Sequence, residues 1–148
     1  HDYVISAHVK KIEADRKTPV LVNKVKIENF YEHQQKIKNE LQDYLNAKDK
    51  KVAIWGAGHQ SLAVIALADL ADKISYVVDS ATFKQNKFTP ATHIPIVAPE
   101  KLLSDPVDAV IIMAASYSDE VARNLLKSHK NKLSISILRE EGLEILQT

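Results

Sequence analysis

The sequence predicts an α/β fold: a Rossmann-like parallel sheet of about four to five strands with flanking helices and a long N-terminal amphipathic helix. Three observations predict it. Short apolar runs of strand length, Val52–Trp55, Ile74–Val78 and Asp108–Met113, end at Gly56, Asp79 and Ala114. Helix-like stretches separate these runs, and strands alternating with helices give right-handed crossovers and a parallel sheet. The first run passes through Gly56-Ala57-Gly58-His59-Gln60-Ser61 into an Ala- and Leu-rich stretch. That is the strand–turn–helix order of a nucleotide-binding βαβ unit.

The elements follow in order. Residues 3–9 read as a short strand, and residues 10–24, charged and carrying Pro19, as a linker. Residues 1–24 are thus expected to be a linker or the remnant of a preceding domain, and 25–148 the Rossmann-like domain with its N-terminal helix. From Val25 to Ala47, the residues Ile27, Phe30, Tyr31, Ile37, Leu41, Tyr44 and Leu45 recur at helical spacing between polar residues such as Glu28, Gln35, Lys38 and Asp43. Such a stripe packs on its own domain, on another domain or on a second copy, so the 25–47 helix is also a candidate homodimer seam.

Residues 46–51 form a polar break before the first strand, and 61–71 the helix after it. Residues 80–98, with Pro90 and Pro95, read as a long polar connection. Pro99–Leu103 reads as a short helix with proline at its first position. Residues 119–129 form a further helix with Ser118 as its N-cap. Residues 133–138 alternate as an edge strand does, and the tail from Glu140 is expected to be a short helix.

Bulk properties narrow the function classes. A chain of 148 residues, 45% apolar, suffices for one core. A net charge of +1 gives no electrostatic case for nucleic acid or an anionic membrane. The absence of cysteine excludes disulfides, thiolate zinc sites and cysteine nucleophiles. The six histidines lack a spaced ligand motif, so no metal site is expected. No apolar run approaches the ~20 residues of a membrane helix. The charged residues from Lys10 to Arg16 leave no room for a signal-peptide core. The expected setting is the cytoplasm. The chain begins at His1 and its one methionine is Met113, so a piece of a longer protein is expected.

Ligands of such sheets bind where strand ends meet helix starts. Three ends are expected there: Gly56–Ser61, Asp79, and Ala114-Ala115-Ser116-Tyr117-Ser118. Glycine at 56 and 58 fits a turn that needs positive φ or close ligand approach, and amides at the helix start attract anions. Asp79 lies where a ribose-binding acid is expected, about 20 residues on. It serves a ligand or caps a turn. His59 either bonds or exchanges a proton with a ligand, or is a solvated helix-start residue. His93 either contacts substrate or pins its loop. Lys84 either meets phosphate or is solvated. Tyr117 either stacks on a base or sugar or packs over the sheet edge. No Ser/His/Asp set is placed well enough to argue a triad.

The stretch Asp79-Ser80-Ala81-Thr82-Phe83-Lys84-Gln85 and onward to Thr92-His93-Ile94-Pro95-Ile96 resembles the C-terminal domain of SAM-dependent sugar C-methyltransferases. That family shows an Asp, then Lys-Gln-Gly, then Pro-Gly-Thr-His-Ile-Pro-Ile and a proline-led helix. Lys84-Gln85, Pro90, Thr92–Ile96 and Pro99-Glu100 match it. Trp55-Gly56-Ala57 looks like its Tyr-Gly-Ala turn, and Asp119-Glu120-Val121 like its Asp-Glu-Ile. Gln60 and Ser61 replace the family's Lys-Gly, Asn86 and Ala91 replace loop glycines, and Ser116-Tyr117 stands for Trp-Asn.

The resemblance implies a domain that holds a nucleotide-sugar, with Gly56, Ala57, Gly58, His59, Asp79, Lys84, His93, Ser116 and Tyr117 as its contacts. It implies that SAM belongs to a SAM-binding domain elsewhere in the same chain, with no cofactor in this part. The alternatives are a nucleotide-sugar module of another enzyme such as an acyltransferase, a non-catalytic assembly domain, and an NAD-dependent enzyme, which Ser61 disfavours.

Overall fold

The computed structural model describes residues 24–46, 51–129 and 133–148. The expectations for residues 3–9 and for the linker up to residue 23 lie outside them. The elements are α1 (Lys24–Asn46), β1 (Val52–Trp55), α2 (His59–Leu67), β2 (Ile74–Val78), β3 (Lys87–Phe88), β4 (Pro95–Val97), α3 (Lys101–Ser104), β5 (Ala109–Ile112), α4 (Ser118–Ser128), β6 (Ser134–Leu138) and β7 (Leu143–Gln147). Single 3-10 turns at Ala71–Lys73 and Ala115–Tyr117 complete the set.

One seven-stranded sheet runs β3-β4-β2-β1-β5-β6-β7. The five strands from β4 to β6 are parallel, and β3 and β7 add antiparallel at the two edges. Taken in chain order, the parallel strands lie third-second-first-fourth-fifth, the doubly wound order whose switch point falls between β1 and β5. The register brings their carboxyl ends level: Trp55 stands beside Val78 and Ile112, and Val78 beside Val97. The loops after β1, β2 and β5 therefore leave from one edge.

Period-two alternation explains the two cores. Val52, Ile54, Val77 and Ile111 face α1 and α2, whose Leu41, Leu45 and Ile65 cover them. Ala53, Tyr76, Val78, Val110 and Ile112 face the other way, under Leu102 of α3 and Ala122 and Leu125 of α4. Each fully buried Ile, Leu or Val side chain contributes roughly 1.5–3 kcal/mol. Ser136, wholly buried, is polar for a local reason: its Oγ lies 3.3 Å from the hydroxyl of Tyr44 on α1.

Several expectations are corrected. The 80–98 connection holds two short strands, closed into a hairpin because the Thr89 amide donates to Ile94 O at 2.8 Å and the Thr89 Oγ1 accepts the Ile94 amide at 2.9 Å. Pro95 is tolerated as the first residue of β4. The tail is a strand, not a helix: Gly142, at φ 144°, turns the chain so that β7 pairs back along β6. Residues 133–138 are therefore not an edge. Ser118 does not cap α4. It is the first helical residue, and its Oγ accepts the Ala114 amide at 3.1 Å.

Candidate functional site

At the switch point the level strand ends open into a cleft of about 620 Å³. Trp55, Met113, Ala114, Tyr117 and Val121 supply much of its apolar lining. Gly56, Gly58, His59 and Gln60 form one wall, Asp79, Ser80, Ala81 and Lys84 a second, and Glu120 and Asn124 of α4 a third.

The first turn is shaped by two glycines in different ways. Gly56 has φ 117°, and a Cβ there would stand 2.5 Å from the carbonyl oxygen of Met113, so backbone geometry demands glycine. Its amide donates to Val78 O at 2.7 Å, tying the turn to β2. Gly58 has φ −90°, and nothing lies within 4 Å of a Cβ built on it. The protein's own packing gives no reason for glycine at 58. Ser61, fully buried, stands at the third glycine position of a dinucleotide turn. Its Oγ reaches the carbonyls of Gly56 at 2.5 Å and Gly58 at 2.9 Å, bracing the turn from inside. The amides of Gly58, His59 and Gln60, at the start of α2, meet no acceptor among the described residues.

Asp79 is the hub of the second wall. Its Oδ2 accepts the Ala57 amide at 2.7 Å and Lys84 Nζ at 3.0 Å, and its Oδ1 accepts the Ala81 amide at 2.8 Å. Burial pushes its carboxyl up, but the Ala81 and Ala57 amides and the Lys84 ammonium outweigh this and hold it below the ordinary aspartate value. Three of its roughly four acceptor positions are used. Lys84, also 5.8 Å from the Phe83 ring, keeps its ammonium on the cleft wall through this pair.

Of the residues expected at the site, Gly56, Gly58, His59, Asp79, Lys84 and Tyr117 line the cleft. Ala57 is buried behind the turn, with its amide on Asp79. Ser116 is exposed and off the lining, and so is His93, whose amide closes the β3–β4 loop on Thr89 O at 3.0 Å. Trp55, Gln60, Glu120 and Asn124 also line the cleft, beyond the contacts the sequence suggests. The available signal for the last two was their spacing of four on the first turns of the helix after the third core strand. Among the described residues no group of His, Asp or Glu gathers as a metal site, and no helix is long and apolar enough to cross a membrane.

Comparison with known proteins agrees with the resemblance in the sequence. The model of the C-methyltransferase C-terminal domain family matches residues 2–136. A curated relative, the C-methyltransferase NovU of Streptomyces niveus, is 23% identical over 127 residues, 83% of this chain. The chain spans 30% of that relative's length. Among solved structures, UDP-D-quinovosamine 4-dehydrogenase from Vibrio fischeri superposes with a TM-score of 0.50 at 15% identity, covering 68% of this chain and 95% of that one. That likeness is one of fold.

Proposed function

We propose that this chain, which belongs to the C-methyltransferase C-terminal domain family, is the nucleotide-sugar-binding domain of a SAM-dependent sugar C-methyltransferase. The observation that carries the reading is the turn at 58–60. Three unclaimed amides stand at the start of a nine-residue helix, on the wall of a cleft, beside a glycine that the fold itself does not require. Bare amides of this kind suit a diphosphate. Lys84, held in place by Asp79, leaves further N–H donors free on the same wall. Gly56, Gly58, His59, Asp79, Lys84 and Tyr117 are the proposed contacts. Ala57 acts through Asp79, and Ser116, between the lining residues Ala115 and Tyr117, is an outer-rim contact. His93, in the loop that enters the amino end of β4, lies toward the sheet edge opposite the cleft and pins its loop rather than a ligand.

The same wall does not fit SAM. A ribose diol held by the acid after the second strand needs both carboxylate oxygens, and Asp79 has about one acceptor position left. We therefore place SAM on a separate SAM-binding domain of the longer protein, where it supplies the methyl group for a carbanion formed beside a sugar keto group. This chain orients the nucleotide-sugar and closes the cleft over it. The name of the curated relative, a C-methyltransferase, supports this reading. We place the protein in the cytoplasm, and assign no part to nucleic acid or membrane.

A thermal-shift panel of dTDP-sugars, UDP-sugars, SAM and NAD tests it. A ligand at 100 times its Kd adds about 2.7 kcal/mol of stability. The expected result is a shift with a nucleotide-sugar and none with SAM. A shift with SAM and none with any sugar nucleotide overturns the reading.

A further inference from the structure

We infer that Glu120 and Asn124 of α4 read the glycosyl half of the ligand, so that the nucleotide-sugar lies across the cleft with its phosphates at the 58–60 turn and its sugar ring against α4. The inference rests on the nucleotide-sugar reading and deepens it. Both residues line the cleft, one helical turn apart on one face of α4.

The charges around them decide the orientation. Among the described residues Glu120 has no ion pair or hydrogen bond. Its neighbour Asp119 is claimed by Arg139, with the guanidinium Nη2 2.5 Å from Oδ1, and Arg139 also holds Glu144 at 2.7 Å. Arg123, on the same helix, makes no ion pair with Glu120. The other carboxylate on the cleft, Asp79, is nearly saturated. Glu120 is therefore the unclaimed anionic acceptor of the site. A phosphate beside it would be repelled, whereas a hydroxyl or ammonium would donate to it.

Asn124 offers two donors and a carbonyl, so the pair matches neighbouring polar groups on a pyranose edge. Val121, Trp55 and Tyr117, also on the cleft, present apolar surface to the C–H face of such a ring. The polarity thus divides: amides and Lys84 on the walls that suit phosphate, a carboxylate and a carboxamide on the wall that suits sugar. The ligand class this selects is a nucleotide-sugar with hydrogen-bond donors on the edge facing α4.

Calorimetric titration of the full chain with dTDP, a dTDP-hydroxy-sugar and a dTDP-amino-sugar tests the assignment. Wild type, Glu120→Ala, Glu120→Gln and Asn124→Ala are compared, each with its melting curve. Both side chains are exposed on a helix, and alanine favours helix, so the variants should fold. The expected result is a loss of about 10-fold or more in affinity for sugar-bearing ligands in Glu120→Ala, a smaller loss in Asn124→Ala, and unchanged or tighter binding of dTDP alone. Glu120→Gln losing only the amino-sugar would assign the donor as ammonium. Comparable loss of both sugars would assign it as hydroxyl. Wild-type binding of dTDP-sugars with equal affinity in Glu120→Ala overturns the orientation and leaves the nucleotide-sugar reading standing. No binding of any sugar nucleotide by wild type overturns both.

Discussion

Asn86 and Ala91 both adopt left-handed backbone, at φ 60° and 63°. An alanine there carries a steric cost of about 1–2 kcal/mol that glycine avoids, partly offset by glycine's looser unfolded chain. Ala91→Gly should raise the melting temperature by about 2–4 °C. Asn86→Gly should do less, because asparagine tolerates this region. The two glycines of the first turn separate structure from binding. Gly56→Ala should cost about 3 kcal/mol or more, since the new Cβ meets the Met113 carbonyl. Gly58→Ala should cost about 1 kcal/mol at most, yet weaken nucleotide-sugar binding if phosphate approaches that backbone. Calorimetry beside thermal melting distinguishes the two effects. Asp79 gives a pH signature. Its folded-state carboxyl sits below the ordinary value, so its contribution is present above about pH 4 and is lost as pH falls through the lower folded value. Urea midpoints should therefore fall on acidification in wild type and less steeply in Asp79→Asn, which starts lower at pH 7. The sequence made Asp79 legible as a site acid by its place after the second strand. It could not show that Ala57 and Ala81 would consume it, because those bonds depend on where two loops meet in space.

At the scale of elements, α1 is two things along its length. Leu41 and Leu45 are buried on the sheet, whereas Phe30 and Tyr31 are each 63% exposed. Leu41→Ala should cost about 2–5 kcal/mol, read by chemical denaturation. We propose the exposed part as a homodimer seam. Sedimentation would show a dimer in wild type and a monomer in Phe30→Asp, and the same monomer mass for both would remove the seam. Strands β1, β2 and β5 were legible because buried strands are short apolar runs, and β6 by its period-two alternation. The other three were not: β3 and β7 are edge strands, which bury few side chains, and β4, between β3 and β2, is only three residues long. Lys87 and Phe88 of β3 are exposed, β4 begins at a proline, and β7 interleaves Glu144 and Gln147 with apolar residues. The overlooked signal for β7 was Gly142, placed to turn the chain ahead of Leu143 and Ile145.

The whole molecule brings the ends of five parallel strands, in doubly wound order, to one edge of the sheet. Trp55, Val78 and Ile112 stand level, the ladder continues one residue past each strand through Gly56, Asp79 and Met113, and the loops that follow enclose the cleft. Alternation of strand and helix makes this architecture readable in the sequence. The third wall was not readable, because the packing of α4 over the sheet, through Ala122 and Leu125, is what turns Glu120 and Asn124 to the cleft. The measurement that bears most directly on the binding role is a nucleotide-sugar titration followed by backbone amide chemical shifts. The account predicts shifts concentrated at residues 58–61, 79–84 and 114–124, with the Gly58, His59 and Gln60 amides moving most. Shifts centred on the opposite edge of the sheet, or an unperturbed 58–60 turn at saturation, would contradict it.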